Sequence, residues 1–368
     1  MIIEILDKPI QKTALYKSHR ALNAKMVPFG GFEMPVSYFN GIQSEYFAIR
    51  NDVGIFDVSH MGEFFITGPN ALQFLQNVTI NDVSKLKVGQ AQYSAMCYED
   101  GGIVDDLILY KKADGYFIVV NAANIKKDFD WINQHIPKNT YLEDISSDIS
   151  LVAIQGPLSR ELLSKFTDAN LQMSFYTFEE TTVCGFSVML SRTGYTGELG
   201  FEIYANEEAI ITIWDKLINS GAKPAGLAAR DILRMEMAYC LYGNDIDDKT
   251  NPLEAGLSWI TALDKKKFIG FDRIQQEKSM GSKRRLVAFK MEERGIPRSG
   301  YKVYAKGKNI GFVTSGTQSP LLNTGIGLAY VDTPLNKIGQ QISIQIRNKH
   351  LVATIIKPPF ITNTSLRN

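Results

Sequence analysis

Residues 91–121 read AQYSAMCYEDGGIVDDLILYKKADGYFIVVN and contain three apolar segments separated by two short polar turns. Ala91–Tyr98, Ile103–Tyr110 and Tyr116–Asn121 each have the length and composition typical of a β-strand. The turns at 99–102 and 113–115 both contain glycine, which suits a tight reversal of the chain. This stretch therefore predicts a three-stranded antiparallel meander.

Two adjacent acids, Asp105 and Asp106, interrupt the middle strand of this meander. Successive side chains of a strand point to opposite faces, so each acid projects among apolar neighbours. An unpaired ionised carboxylate is costly in such surroundings. For Asp105, near the turn, we expect turn backbone N–H groups or an internal arginine to satisfy the carboxylate. For Asp106 we expect a ligand-facing role, because buried acids cluster at functional sites.

A third acid, Glu202, lies in a predicted strand at 201–205, directly after the glycine-rich loop at 193–200. Glycine allows backbone to approach a ligand closely. The carboxylate of Glu202 suits two hydrogen bonds from an amino-pyrimidine edge. The alternative is an acid on an edge strand that faces water.

The sequence also predicts a helix over Leu227–Leu241 that carries Arg230 and Arg234 one turn apart on the same face. Like charges at this spacing are mildly unfavourable. Compensation by Asp231 and Glu236 is one explanation for the pair. The other is that Arg230 holds a ligand carboxylate in a bidentate ion pair.

Beyond residue 285 the chain changes to short β-rich segments separated by glycine- or asparagine-containing turns. This spacing predicts a small closed barrel or sandwich. Further helices are predicted at about 157–166, 207–220 and 267–277. The expected fold class is α+β, with two subdomains within residues 1–280 and an all-β barrel domain at 281–368.

The charge balance argues against a nucleic-acid partner, because 40 basic residues face 39 acidic ones. The short cationic cluster at 283–285 is interpreted as a solvated linker. No segment approaches the roughly 20 apolar residues of a membrane span, and two early acids argue against a secretory signal. We expect a cytoplasmic protein with no membrane partner. Three widely spaced cysteines fit reduced thiols, namely Cys97, Cys184 and Cys240.

Several common catalytic motifs are absent from the sequence. It contains no Walker phosphate loop, no strand–GxGxxG–helix pattern, no HExxH and no GxSxG. The histidines are scattered, which argues against a metal site or a catalytic triad. His60 alone has a motif-like context, and we expect it to be a hydrogen-bonded structural residue. No metal is expected.

An ordered series of motifs along nearly the whole chain resembles the aminomethyltransferase family, the T-protein of the glycine cleavage system. Individually these motifs are weak, but their order is specific. They are PFGGFEMPV at 28–36, GIFDVSHM at 54–61, GGIVDDL at 101–107, QGP at 155–157, RTGYTGE at 192–198, GLAARD at 226–231, LYGND at 241–245 and GFVTSG at 311–316.

The resemblance implies a multi-domain ring around a central folate site, with the C-terminal barrel as its third domain. It also implies the reaction. An aminomethyl group on the lipoyl arm of the carrier H-protein, which works with the P- and L-protein components, would be the donor. Tetrahydrofolate, as co-substrate, would accept the methylene, with release of ammonia and a dihydrolipoyl carrier.

The same resemblance assigns roles to particular residues. The second aspartate of GGxxDD, here Asp106, would lie beside the reacting folate nitrogens. The acid that closes GYTGExGxE, here Glu202, would hold the pterin edge, and the arginine of AARD, here Arg230, would hold the folate carboxylate. The implied pocket-wall residues are Tyr93, Asn121 and Tyr195.

One departure and two alternatives remain at this stage. The segment 359–365 lacks a tyrosine that some relatives carry there. The first alternative is a tetrahydrofolate-dependent demethylase of another donor. The second is a non-catalytic folate-binding relative in iron–sulfur protein maturation, whose KGCYxGQE signature is replaced here by AYCLYGND at 238–245. That replacement and the presence of Asp106 disfavour the second alternative.

Overall fold

The computed structural model describes residues 10–265 and 267–367. Its helices are α1 Tyr16–Ala21, α2 Ile42–Asn51, α3 Ala71–Val78, α4 Ile125–His135, α5 Ser159–Leu163, α6 Glu207–Asn219, α7 Leu227–Glu236 and α8 Phe271–Met280. The strands that precede the barrel are β1 Lys25–Phe29, β2 Phe32–Ser37, β3 Gly54–Asp57, β4 Gly62–Thr67, β5 Gln90–Cys97, β6 Ile103–Lys111, β7 Tyr116–Val120, β8 Tyr141–Asp144, β9 Ser150–Gln155, β10 Phe178–Val183, β11 Phe186–Ser191, β12 Gly200–Ala205 and β13 Lys223–Pro224.

The predicted meander is confirmed as strands β5, β6 and β7 of a five-stranded sheet with the order β5-β6-β7-β4-β8. Both neighbours of β6 pair with it in antiparallel register, and Asp106 lies opposite Ala95. The β5–β6 register shifts between Met96 and Cys97, next to the residues that oppose the two acids. Strand β6 therefore carries its two carboxyl groups in the interior of a sheet.

A second sheet has six strands in the order β10-β11-β12-β9-β3-β13. Strand β12 lies between β11 and β9, so Glu202 is on an interior strand. The alternative of a water-facing acid on an edge strand is therefore wrong. Glu202 is buried, at 7% exposure.

The two sheets share one apolar core, to which β6 and β7 contribute from one side and β9, β11 and β12 from the other. At its centre the hydroxyls of Tyr110 and Tyr204 are 3.0 Å apart. Tyr110 follows Asp106 by four residues on the same strand, a separation of about 13 Å. The core thus fixes the first sheet, which carries Asp106, against the second, which carries Glu202.

The C-terminal barrel predicted from the sequence is confirmed as a closed sheet with the order β14-β17-β16-β15-β18-β19. Pairing of β14 with β19 closes the barrel around a core of aliphatic side chains. Its strands are β14 Arg284–Met291, β15 Lys302–Ala305, β16 Lys308–Ser319, β17 Thr324–Asp332, β18 Gln341–Ile346 and β19 Lys349–Ile356. The proposed domain division at residue 280 stays a prediction.

Three predicted helices differ in their bounds. The helix expected to reach Leu241 ends at Glu236, because Ala238 adopts φ 57° and Tyr239 N–H bonds to the Arg234 carbonyl. These two features together form a Schellman C-cap. The sequence does not predict it, because the residue in the left-handed conformation is alanine and not the usual glycine. The helix after Pro157 is shorter than expected, at Ser159–Leu163, and the one expected from 267 begins at Phe271.

The barrel is attached to the rest of the chain through a buried ion pair. Arg234, on α7, donates to Asp245 at 2.7 Å and to the barrel residue Ser315 at 3.0 Å. The other oxygen of Asp245 accepts from the Thr314 hydroxyl of the barrel at 2.5 Å. Arg234 is therefore a structural residue whose charge is compensated by Asp245 as well as by Asp231.

Glu236, the other acid that was expected to compensate the arginines of α7, has different partners. It accepts from Tyr46 and from Arg50, both on α2, and from Ser319 of the barrel at 2.5 Å. Arg50 also donates to Glu198 of the glycine-rich loop at 2.7 Å. One buried network therefore joins α2, α7, the loop and the barrel.

The cationic cluster at 283–285 is not the solvated linker that was expected. Arg284 begins β14 and donates to both oxygens of Glu254, at 2.9 and 3.1 Å. Its guanidinium also lies 4.5 Å from the centre of the Tyr330 ring. Within residues 10–265 and 267–367, no helix has both the length and the apolar character needed to cross a membrane.

Arg234 and Arg284 each form an ion pair where the barrel meets the rest of the chain. Comparing substitutions of the two tests how burial changes the contribution of an ion pair to stability. Replacing Arg234 with methionine leaves Asp245 buried without its counter-ion, so the free energy of unfolding should fall by about 3–5 kcal/mol. Arg284→Met breaks a pair in which the arginine is 31% exposed, so the loss should be about 1 kcal/mol or less. Urea denaturation measures both, and equal losses would contradict the interpretation of Arg234.

Candidate active site

Asp106 is held by two hydrogen bonds from neighbouring elements. The Tyr93 hydroxyl, on β5, donates to Oδ2 at 2.8 Å, and the Asn121 side-chain amide donates to Oδ1 at 2.9 Å. Asn121 directly follows β7, so the three residues come from three adjacent strands of the meander. Asp106 as a residue is half-buried, and the two hydrogen bonds fix the orientation of its carboxyl group.

The environment of Asp106 favours its neutral form more than water does. Burial and the negative charge of Asp105 raise the pKa of Asp106 to about 7, against the opposing effect of the hydrogen bonds from Tyr93 and Asn121. A carboxyl group that titrates near neutral pH can exchange a proton with a bound substrate under ordinary conditions.

Asp105 is completely buried, but its partners are not those expected from the sequence. Neither a turn N–H group nor an arginine satisfies it. Oδ1 accepts from the side-chain amides of Asn121, at 2.8 Å, and Asn124, at 2.9 Å, while Oδ2 accepts from the Asn121 backbone at 3.1 Å. Asp105 therefore anchors the residue that orients Asp106.

Glu202 has one oxygen engaged and one available. The Thr193 hydroxyl donates to Oε2 at 2.5 Å and the Tyr204 hydroxyl donates to the same atom at 3.3 Å. Burial raises the pKa of Glu202, while the Thr193 hydrogen bond and the positive charge of Arg230 lower it. In the described part of the chain no hydrogen bond reaches Oε1, which keeps its acceptor capacity for a ligand.

The glycines of the 193–200 loop are needed for packing against the protein's own side chains, while the close approach of a ligand to this loop stays a prediction. A Cβ at Gly194 would lie 2.2 Å from Oε1 of Gln155, and one at Gly200 would lie 2.4 Å from Nε2 of the same side chain. Gly197 has φ +78°, and a Cβ there would lie 2.3 Å from the Met237 sulfur. The glycines allow the loop to fold over Gln155 and Met237, which places Thr193 against Glu202.

Arg230, on the first turn of α7, has no ion-pair partner within residues 10–265 and 267–367. Its guanidinium lies 4.8 Å from the centre of the Tyr195 ring. Among the described residues its side chain makes no hydrogen bond or ion pair, in contrast to Arg234 one turn later. Burial lowers the pKa of Arg230, and the charge of Glu202 opposes that change. The side chain is available to an anionic ligand.

Tyr195 connects the two halves of the site. Its hydroxyl donates to the Cys240 carbonyl, and its ring stacks on Tyr239 with centroids 5.5 Å apart. Burial raises its pKa, on which the charges of Arg234, Asp106 and Arg230 also act. The charges of Asp106 and Arg230 both act on Tyr195, and the charge of Glu202 acts on Arg230, so these side chains lie near one another.

His60 lies near Arg230 but is not hydrogen-bonded as expected. It packs edge-on against Phe29 and Phe32, and its Nδ1 atom is buried with no partner among the described residues. Burial lowers the pKa of His60 to about 4; the charge of Asp57 opposes this and that of Arg230 reinforces it. The imidazole is therefore neutral at physiological pH.

Sequence reasoning missed several residues of this region. Trp259 is 69% exposed and stacks on Tyr93, with ring centroids 5.8 Å apart. Thr193 and Asn124 position Glu202 and Asp105. The spacing of Asn121 and Asn124 directly after a buried strand was the one sequence feature that could have indicated such residues. A single tryptophan or threonine in the sequence gives no indication of a site.

The arrangement combines a titratable carboxyl, a second carboxyl with a free oxygen, an unpaired guanidinium and aromatic walls. It suits a ligand with hydrogen-bond donors at one end, a planar body and a carboxylate at the other. In residues 10–265 and 267–367, no three His, Cys, Asp or Glu side chains are grouped as a metal site requires.

Comparison with protein families gives two consecutive matches. The model described as GCVT N-terminal domain matches residues 15–265, and the model described as glycine cleavage T-protein C-terminal barrel domain matches residues 284–361. Among individual relatives, an aminomethyltransferase of Flavobacterium psychrophilum is 49% identical over 95% of this chain and 99% of its own length. One of Chloroherpeton thalassium is 50% identical over 95% and 98%.

Among solved structures, the glycine cleavage system aminomethyltransferase T of Bartonella henselae superposes with a TM-score of 0.92. It is 31% identical in sequence, and the match covers 98% of this chain and 99% of the other. The fold is therefore shared from end to end, barrel included.

The titration of Asp106 provides a test of the site geometry. In Tyr93→Phe the carboxylate loses a hydrogen bond that favours its charged form, so the pKa of Asp106 should rise above 7 by about one unit. Carbon-13 NMR of labelled aspartate measures the shift. Tyr195→Phe serves as the control, because its hydroxyl donates to a carbonyl, and an unchanged titration in Tyr93→Phe would contradict the geometry.

Proposed function

The chain belongs to the glycine cleavage T-protein family of aminomethyltransferases, and from this membership we propose that it transfers a methylene group to tetrahydrofolate. The donor would be the aminomethyl group on the dihydrolipoyl arm of the carrier H-protein. The products would be 5,10-methylenetetrahydrofolate, ammonia and the dihydrolipoyl carrier.

One observation carries this proposal. A fixed carboxyl group with a pKa of about 7 lies near Tyr195, which also contacts Arg230. The charge of Arg230 in turn acts on Glu202, whose Oε1 accepts no hydrogen bond from the described residues. A reduced folate has a nitrogen-rich pterin, an aromatic middle and a carboxylate tail. Glu202 fits the pterin edge through its free oxygen, and Arg230 fits the carboxylate tail.

Tetrahydrofolate would supply the nucleophilic nitrogens that accept the methylene. The protein's own contribution is to position and to stabilise charge. Tyr93 and Asn121 fix the direction in which the Asp106 carboxylate points, and a fixed carboxylate stabilises positive charge that develops beside it. Holding two reactants in place can itself remove several kcal/mol from the barrier.

The pH dependence of this chemistry follows from the raised pKa of Asp106. The ionised carboxylate is the form that stabilises positive charge, and it predominates above the pKa of about 7. Turnover should therefore decrease as the pH falls through that value.

The demethylase alternative uses the same folate pocket with another donor. Family membership favours the carrier-bound aminomethyl group, because the relatives that span the whole chain carry the name aminomethyltransferase. Asp106 disfavours the non-catalytic alternative. A protein that only binds folate does not need a carboxyl group that is held in a fixed orientation and has a raised pKa.

Replacing Asp106 with asparagine tests its role in turnover. The variant should fold and should bind tetrahydrofolate within about tenfold of the parent, but kcat should fall by about a hundredfold or more. Steady-state formation of methylenetetrahydrofolate measures this loss. The control is Asp114→Asn, which alters an exposed aspartate in the other turn of the meander and should leave turnover unchanged. Near-normal turnover in Asp106→Asn would remove Asp106 from the mechanism.

The identity of the donor is tested by carrier dependence. Methylenetetrahydrofolate should form with H-protein that carries the aminomethyl-dihydrolipoyl group and should not form when the carrier lacks that group. The comparison uses free methylated amines, sulfonium compounds and aryl ethers as competing donors. Turnover of a free donor without carrier would favour the demethylase.

A further inference from the structure

Helix α4 brings a third carboxyl group, Asp128, against the strand that carries the two site acids. Its side chain is fully buried, and neither oxygen has a hydrogen-bond donor among the described residues. The Lys127 ammonium is 3.7 Å from Oδ1 and donates instead to the Val104 carbonyl and the Tyr242 hydroxyl. An ionised carboxylate in this position would be expensive.

The neighbour that can satisfy Asp128 is Asp105, whose charge and whose hydrogen bonding with Asp128 both raise the pKa of Asp128 and favour its protonated form. Two ionised carboxylates cannot share a hydrogen bond, so this contact requires a proton. Asp105 already accepts N–H groups on both of its oxygens. The proton therefore belongs on Asp128, which then donates to Asp105.

We propose that Asp128 is a protonated positioning residue that donates a hydrogen bond to Asp105 and thereby keeps Asn121 and Asp106 in their working arrangement. The contacts run from Asp128 to Asp105, from Asp105 to both the backbone and the side chain of Asn121, and from Asn121 to Asp106. The effect on turnover rests on the function proposed above for Asp106; the location of the proton does not.

The charged and titratable groups that surround Asp128 agree with a neutral acid. Burial and the charge of Asp105 raise the pKa of Asp128 to about 11, with Asp106 adding to the effect and Lys127 opposing it. Tyr98 and Tyr242 face the same cluster, and the carboxyl charges raise the pKa of both. A tyrosine side chain is either neutral or negatively charged, so neither residue supplies a positive charge that would favour ionised Asp128.

This arrangement determines how much negative charge Asp106 experiences. With the proton on Asp128, Asp105 is the carboxylate whose negative charge acts on Asp106 and accounts for part of its raised pKa. An ionised Asp128 would add a second negative charge. Replacing Asp128 with a neutral isostere therefore distinguishes the two cases.

Infrared difference spectroscopy of the substrate-free full chain locates the proton directly. At a pH above the titration of Asp106, the spectrum of the parent minus that of Asp128→Asn should contain a carboxylic-acid C=O band. Asp130→Asn, which alters a half-exposed aspartate on the same helix, should instead remove carboxylate bands. Loss of carboxylate bands alone in Asp128→Asn would overturn the proposal whatever reaction the protein catalyses.

Turnover measurements test the positioning role. Asp128→Leu, which cannot donate to Asp105, should lower kcat by about tenfold or more while the KM for tetrahydrofolate changes by less than about threefold. Asp128→Asn should restore kcat to within about threefold of the parent, because its amide can donate to Asp105, and its pH profile should stay in place. A shift of that profile to lower pH by about one unit would show that Asp128 had been ionised.

Discussion

The cost of removing a carboxylate from water is the constraint on which this molecule depends. Asp106, Asp105 and Glu202 all lie on strands inside sheets, where an ionised acid needs partners to be tolerated. The partners are polar side chains from loops that leave the same two sheets, above all Asn121, Asn124 and Thr193. The site is therefore a set of satisfied acids in which a few acceptor atoms and one guanidinium are left for a ligand.

The rest of the fold keeps these acids in register. The Tyr110–Tyr204 contact fixes one sheet against the other, and the Arg50–Glu236 pair ties the glycine-rich loop to α7 and the barrel. The C-terminal segment adds to the same network, since Ser365 donates to Glu198. Segments far apart in sequence thus determine one arrangement of side chains.

Much of this could be predicted from the sequence, because local patterns carry it. The meander follows from three apolar strands and two glycine turns, and the barrel follows from the spacing of short strands beyond residue 285. The motif series identified the family that the comparisons then showed. Asp106 and Glu202 were singled out because charge in an apolar pattern is conspicuous, and Arg230 because it places a like charge one turn from Arg234 on the same helix face.

What could not be predicted depends on contacts across the fold. The partners of Asp105 are asparagines from another loop, and the end of α7 depends on an alanine in a left-handed conformation. The glycines of the 193–200 loop suggested a ligand, but they make room for Gln155 and Met237. His60 lies in a motif-like segment, yet its buried Nδ1 atom has no hydrogen-bond partner among the described residues. In each case the sequence shows the residue and only the packing shows its neighbour.

The central claim is that Glu202 and Arg230 bind a reduced folate and that Asp106 is left free for its reacting end. Isothermal titration calorimetry of the folded protein with tetrahydrofolate tests this most directly. The account predicts saturable one-to-one binding that Glu202→Gln or Arg230→Met weakens by about tenfold or more. Absence of tetrahydrofolate binding to the well-folded parent protein, or equal affinity in all three proteins, would contradict it.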